Sequence, residues 1–368
     1  MLFLYLLFFS ILMEKNNNEE KDKIKLFVFE FFSGIGGMNE SMKRIKKLSL
    51  LKIIPYDINI NSNITYKFNY DIEPNSITIE SLTLEKYEKI IEENLKQLNN
   101  NNIKLLWTMS PPCQPFTRQG NKLELEDNRS NAFKHLMNIL NKTKYFPNYF
   151  FLENVKNFDN SKANEMIIDI FNNKKYDFLQ FLLSPIQFNI PNSRLRYYFI
   201  SREKKFDLFK NERKEIIKTV DLINKNYPNL CNIDIKTFLS YNKNEEKNKK
   251  EFYLGDKILN KESSKSMDLT LLESKSSNCF TKNYTRLIKG SGSILLLDKK
   301  IYYNNIDLKL LKGHIRFFTP TEILKFLSFN ANFEFPENLS VKSQYKLLGN
   351  SINVKVVSEL MEILFNEN

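Results

Sequence analysis

Three observations predict an α/β fold built on a largely parallel sheet. Apolar runs of strand length alternate with helix-like stretches from Ile24 onward, a glycine-rich turn follows the first run, and later runs end in polar loops. The chain has 368 residues, 42% of them hydrophobic, enough for one large core or two domains.

Taken in order, Ile24–Phe31 (IKLFVFEF) is apolar on both faces, as a strand covered on both sides must be. Residues 33–38 (SGIGGM) read as a turn, and 39–47 as the helix it opens. A second strand, LKIIPYD, ends at Asp57. Two more strands are expected at 103–110 and 148–155, with helices over 131–141 and 162–172. FLQFLLS and LRYYFIS carry the sheet to about Ser201. The texture then changes: 206–251 is rich in Lys, Asn and Glu, and 241–251 reads as a solvated loop. Order returns at Ser277 with NCFTKNYTRLIKGSGSILL. Near the end, Thr319, Pro320 and Glu322 predict an N-cap, a first-turn proline and a capping box.

Composition narrows the class. Lys+Arg 55 against Asp+Glu 43 gives a net charge of +12, which suits a nucleic-acid partner or, equally, a lysine-rich solvated surface. With 3 Cys and 2 His, a disulfide scaffold and a Cys- or His-ligated metal site are not expected, and a reducing compartment is. The expected location is the cytoplasm, with the nucleus as a second. Residues 1–12 (MLFLYLLFFSIL) are apolar but shorter than the roughly 20 residues of a spanning helix, and they lack a signal peptide's basic start. Either Met13 is the real start or these residues are a disordered or peripheral appendage, and no membrane partner is expected.

Only 9 Gly occur, so their clustering carries information. Strand, Ser33-Gly34-Ile35-Gly36-Gly37, then helix lets backbone N–H groups approach a ligand. The spacing is not GxGxxG, and Asp57 at the next strand end is placed for ribose hydroxyls. A nucleoside cofactor without a pyrophosphate, S-adenosylmethionine foremost, fits better than a dinucleotide. In SPPCQPFT, Pro111, Pro112 and Pro115 fix the backbone around Cys113 at the carboxyl edge of the sheet, which suits a nucleophile better than a core thiol. Glu153, in ENV at the following strand end, would stand beside that loop if the strands are neighbours. Arg194 and Arg196 alternate onto one face, and two arginines in a lysine-rich chain point to forked hydrogen bonding.

Together, FFSGIGGM, SPPCQPFT, FLENVKNF, IPNSRLRYYFI and LLGNSINVKVV resemble, in this order, the C5-cytosine methyltransferases that use S-adenosyl-L-methionine. Cys279-Phe280-Thr281, the KNYTRLIKGSGS after it, and Arg118 in PPCQPFTRQG resemble the branch that is built like DNA methyltransferases but acts on tRNA. The resemblance implies a Rossmann-like methyltransferase domain with a smaller target-recognition domain. Its expected parts are an extension at 1–23, catalytic residues 24–204, a recognition domain at 205–314 with a low-complexity loop near 241–251, and a segment 315–368 completing the catalytic domain.

The resemblance also implies roles. Cys113, Glu153, Arg194 and Arg196 are the implied catalytic residues. Ile35, Gly36, Gly37, Asp57, Ile58, Ile79, Glu80, Ser110 and Ser351 are the implied cofactor pocket, with S-adenosyl-L-homocysteine as product. The implied substrate is an anticodon-loop cytosine of tRNA, tRNA-Asp above others. Asn283 stands where relatives often have Gly, and it can take the left-handed conformation such a turn needs. DNA as substrate is the alternative reading, and a catalytically inactive RNA-binding homologue the third.

Overall fold

The structure, a computed structural model, describes residues 23–98, 102–112, 130–204, 206, 215–220, 223, 227–228, 230–302 and 308–366. The N-terminal extension and the expected nucleophile Cys113, with Arg118, lie outside them.

A six-stranded sheet organises the first part. Its strands are β1 (Ile24–Phe31), β2 (Leu48–Tyr56), β3 (Ile103–Met109), β4 (Tyr149–Val155), β5 (Asp177–Leu183) and β6 (Arg196–Arg202), in the order β2-β1-β3-β4-β6-β5. β1 runs parallel to β2 and β3, and β3 parallel to β4. β6 is antiparallel to both its neighbours, β4 and β5. The chain reverses its direction of travel across the sheet between β1 and β3, so a crevice opens at their carboxyl ends, where ligands of open α/β sheets bind.

Helices cover both faces. On one face, α3 (Leu84–Leu98), α4 (Asn131–Lys142) and α5 (Lys162–Asn173) pack on Phe27, Phe29, Phe31, Trp107 and Phe150. Trp107 Nε1 donates to Tyr87 Oη at 3.0 Å, so the buried indole keeps a partner. On the other face, α1 (Gly37–Met42) and α9 (Val354–Phe365) close over Leu26 and Val28. The C-terminal helix α9 buries Val354, Val356, Val357, Leu360, Met361 and Leu364, a face apolar enough to need a sheet beneath it. Arg202 on β6 donates to the Leu364 carbonyl in the last turn of α9, where free carbonyls favour a cation.

A second core lies around a three-stranded sheet of β7 (Leu269–Leu271), β8 (Ile294–Leu296) and β9 (Ile315–Arg316), in the order β9-β8-β7. With α6 (Ile235–Leu239), α7 (Pro320–Phe326) and α8 (Val341–Asn350), these strands share one apolar cluster that also takes in Ile35, Ile190 and Val354. Residues of 315–348 therefore pack with the smaller unit, while α9 returns to the large sheet. The capping box forms as expected: Thr319 Oγ1 accepts from Glu322 N, and Glu322 Oε2 from Thr319 N.

Two expectations need correction. Segment 241–251 is not merely a solvated loop, because it contributes most of a 3-10 helix (Lys243–Phe252) and buries Glu246 at 8% exposure. Glu246 accepts from fully buried Arg316 at 2.9 and 3.0 Å, Glu322 at 2.8 and 2.9 Å, the Phe317 carbonyl takes a further N–H at 2.9 Å, and Lys249 bridges both carboxylates. An Arg with two carboxylates is what permits a full charge to be buried. In the turn after Thr281, the left-handed residue is Thr285 at φ 70°, not Asn283, which initiates the turn by accepting from Arg286 N and Leu287 N.

Candidate active site

The turn after β1 is shaped from below by two tyrosines of α2 (Ile60–Tyr70). A Cβ on Gly36 (φ 87°) would stand 2.3 Å from the Tyr70 ring and 3.0 Å from the Tyr66 ring. Only glycine fits both that conformation and that space. Gly37 lies against Ile352, while a Cβ on Gly34 would meet nothing within 4 Å. Ile35 is buried in the second core, and Ser33 Oγ is buried without a partner.

Asp57, just past β2, accepts from Gly34 N at 2.9 Å and from Asn59 N at 2.8 Å. It thus braces the turn, a use that spacing did not reveal. Burial raises its pKa, and those two N–H bonds draw it back. Ile58 is 68% exposed. Ile79 is buried with Phe31 and Tyr56, and neighbouring Glu80 is exposed. Ser110 Oγ donates to the Phe32 carbonyl at 3.2 Å, which joins the end of β3 to the turn. Ser351, just after α8, is buried and its carbonyl accepts from Arg194.

The second half of the site lies at the ends of β4 and β6. These strands are neighbours, and Val155 faces Arg196 in register. Glu153 is 7% exposed and stands 3.4 Å from Arg196 Nε. Burial raises the Glu153 pKa above the ordinary carboxyl value, and Arg196 and then Arg194 hold it down in part. Asn154 Nδ2 donates to the Pro111 carbonyl at 3.2 Å. That bond fixes the loop leading to Cys113 against the strand end carrying Glu153.

Arg194 is almost fully buried and donates to Cys279 Sγ (3.3 Å), to the Phe280 carbonyl (3.2 Å) and to the Ser351 carbonyl. Its Nε is buried with no partner. Arg196 also reaches Cys279 Sγ, at 3.6 Å. The two arginines thus converge, as alternation predicted, but the sulfur between them comes from a segment more than eighty positions away. Cys279 had been singled out only as part of a motif.

Beneath the turn lies a group that sequence reasoning missed. Glu30 is fully buried and accepts from Tyr66 Oη at 2.7 Å, and Tyr66 accepts from Asn39 at 3.1 Å. Burial pushes its pKa up to about 8. The signal was present in IKLFVFEF: one carboxylate among the apolar residues of its buried part, Leu26–Phe31.

A family model described as C-5 cytosine-specific DNA methylase matches residues 26–366. A DNA (cytosine-5)-methyltransferase of Dictyostelium discoideum is 34% identical over 375 residues, covering 94% of this chain and 95% of that protein. A tRNA (cytosine(38)-C(5))-methyltransferase of Homo sapiens is 31% identical over 401 residues, covering 92% of this chain and 99% of that protein. Among solved structures, a DNMT2 mutant of Spodoptera frugiperda superposes with a TM-score of 0.72 at 34% identity, covering 94% of this chain and 100% of that one.

Proposed function

The chain belongs to the C-5 cytosine-specific DNA methylase family, and from that premise we propose that it methylates carbon 5 of a cytosine in a tRNA anticodon loop, tRNA-Asp first. The observation that carries the reading is the buried Glu153 carboxyl beside Arg196, tied through Asn154 to the Pro111 loop. RNA is favoured because the human relative is named for a tRNA cytosine, and because Cys279-Phe280-Thr281, the motif that resembles the tRNA branch, sets Cys279 and Phe280 against Arg194. DNA stays as the second reading, since the Dictyostelium relative is named for it.

In the proposed mechanism the Cys113 sulfur adds to carbon 6 of the ring, and the electron pair released makes carbon 5 nucleophilic. Glu153, whose hold on its proton burial strengthens, donates to the ring nitrogen and offsets the charge that the addition creates. Arg194 and Arg196 hold the carbonyl side of the base. S-adenosyl-L-methionine, when bound, supplies the methyl group and leaves as S-adenosyl-L-homocysteine. A base then takes the carbon 5 proton, and the sulfur departs from carbon 6 with its electron pair.

The turn suits that cofactor. Among the described residues, Ser33 Oγ has no partner and nothing stands against the Gly34 side, and the Asp57 carboxylate keeps lone pairs for ribose hydroxyls beyond the two N–H groups it accepts. Gly36, Gly37, Ile35, Ile58, Ile79, Glu80, Ser110 and Ser351 complete the proposed pocket. A target base must leave its stack to reach such a site, which costs less from a loop than from a duplex.

The test supplies S-adenosyl-L-methionine with a tritiated methyl group together with tRNA or duplex DNA. Label should enter tRNA and not the duplex, and Cys113→Ala should abolish transfer. Equal labelling of both, or an active Cys113→Ala protein, overturns the reading.

A further inference from the structure

The sulfur between the two arginines has no part in the mechanism above. We propose that Cys279 is a positioning residue: its sulfur is the shared acceptor that fixes Arg194 and Arg196 on the Glu153 side of the site. The inference rests on the methyl-transfer reading and goes beyond it.

The geometry is specific. Arg194 Nη1 lies 3.3 Å from Cys279 Sγ and Arg196 Nη2 3.6 Å from it, while Arg196 Nε faces Glu153 Oε1 at 3.4 Å. One guanidinium is therefore held between a sulfur and a carboxyl group. Cys279 is itself fixed by its surroundings. Neighbouring Asn278 and Ser277 pair with Ser193 and Asn192, Asn278 N donates to Ser293 Oγ at 2.7 Å, and Phe280 packs edge-on to Tyr284 and Phe318. The two-residue strand Ser277–Asn278 thus sets the following sulfur beside Arg194 and Arg196 at the start of β6.

Charge gives the arrangement a consequence. Burial alone would raise the Cys279 thiol, but Arg194 and Arg196 together bring it below its usual value. The ionisable groups that act on it are those two arginines, and Glu153 stands one guanidinium away, with Tyr198 beyond it. A sulfur that accepts from both guanidinium groups takes up part of the charge with which Arg196 draws the Glu153 carboxyl down. Cys279 thereby orients the arginines and widens the pH range in which Glu153 can donate.

Two measurements on the full-length protein test this. In the first, methyl transfer to tRNA is followed against pH for wild type, Cys279→Ala and Cys279→Asp. The alanine variant should lose about tenfold in kcat with KM for S-adenosyl-L-methionine unchanged, and its alkaline limb should move to lower pH. Cys279→Asp, which puts an acceptor back between the two arginines, should lie closer to wild type in both respects. An alanine variant with wild-type kcat and an unmoved limb overturns the proposal. So does an aspartate variant no better than alanine, which would mark a merely structural cysteine.

The second measurement needs no methyl transfer, so its outcome is separate from that of the functional reading. Alkylation of Cys279 by iodoacetamide is followed against pH, with the modified peptide identified by mass. The thiol should titrate below the ordinary cysteine range in wild type and shift upward in Arg196→Ala. Ordinary titration in wild type, or no shift in the variant, overturns the proposal even if the cysteine variants fold poorly.

Discussion

Gly349 offers a stringent test of how the smaller unit is seated on the site. It lies in α8, and a Cβ there would stand 2.0 Å from Lys282 N and 2.1 Å from the Thr281 carbonyl carbon. Both are backbone atoms, so no side chain can swing aside. Ordinary contact begins near 3.4 Å, and Gly349→Ala therefore forces the two chains about 1.4 Å apart. Overpacking of this kind costs about 1–3 kcal/mol. In a protein of this size that is a fall of a few degrees in Tm. The larger effect belongs on activity, because the displaced strand carries Cys279 and Phe280 onto Arg194. A misplacement of about 1 Å in a positioning element can cost on the order of a hundredfold in rate. Thermal denaturation and methyl transfer to tRNA, measured on the same preparation, provide the assay. A variant with wild-type Tm and wild-type kcat would refute the packing argument.

Two further outcomes follow from buried charges. Removing Glu246 leaves fully buried Arg316 with one carboxylate, so Glu246→Ala should destabilise by about 3–5 kcal/mol in urea denaturation, whereas removing exposed Glu262 should change little. Glu30 gives a pH signature. Its folded pKa of about 8 exceeds the ordinary carboxyl value of 4.5, so the unfolded chain binds fewer protons between those values. Its contribution to stability is complete below about 4.5 and is lost as pH rises toward 8. Glu30→Gln should remove that slope, and parallel slopes for variant and wild type between those pH values would contradict the assignment.

The legible parts of the chain were those fixed by local chemistry. β1 ends where its apolar run ends, and Thr319, Pro320 and Glu322 start α7 as capping requires. Helices α2 and α3 were harder. α2 reads INSNITYKFNY, with several poor helix formers, and holds through its Asn59 cap and the burial of Tyr66 under the turn. The convergence of Arg194 and Arg196 was readable because arginines stand out in a lysine-rich chain. What was not readable is pairing across distance: Glu246 with Arg316, Asp57 with Gly34, and Cys279 with the arginine pair. Each joins segments whose meeting depends on the finished fold, and nothing in the local sequence of one partner names the other.

The central claim is that Cys113 adds to a cytosine of tRNA while its carbon 5 is methylated. A tRNA carrying 5-fluorocytidine tests it most directly, because fluorine at carbon 5 cannot leave as a proton does and the adduct persists. Incubated with the protein and S-adenosyl-L-methionine, it should give a denaturation-resistant complex whose cross-linked peptide maps to Cys113. No complex, a complex mapped to Cys279, or a complex formed only with duplex DNA would contradict the account.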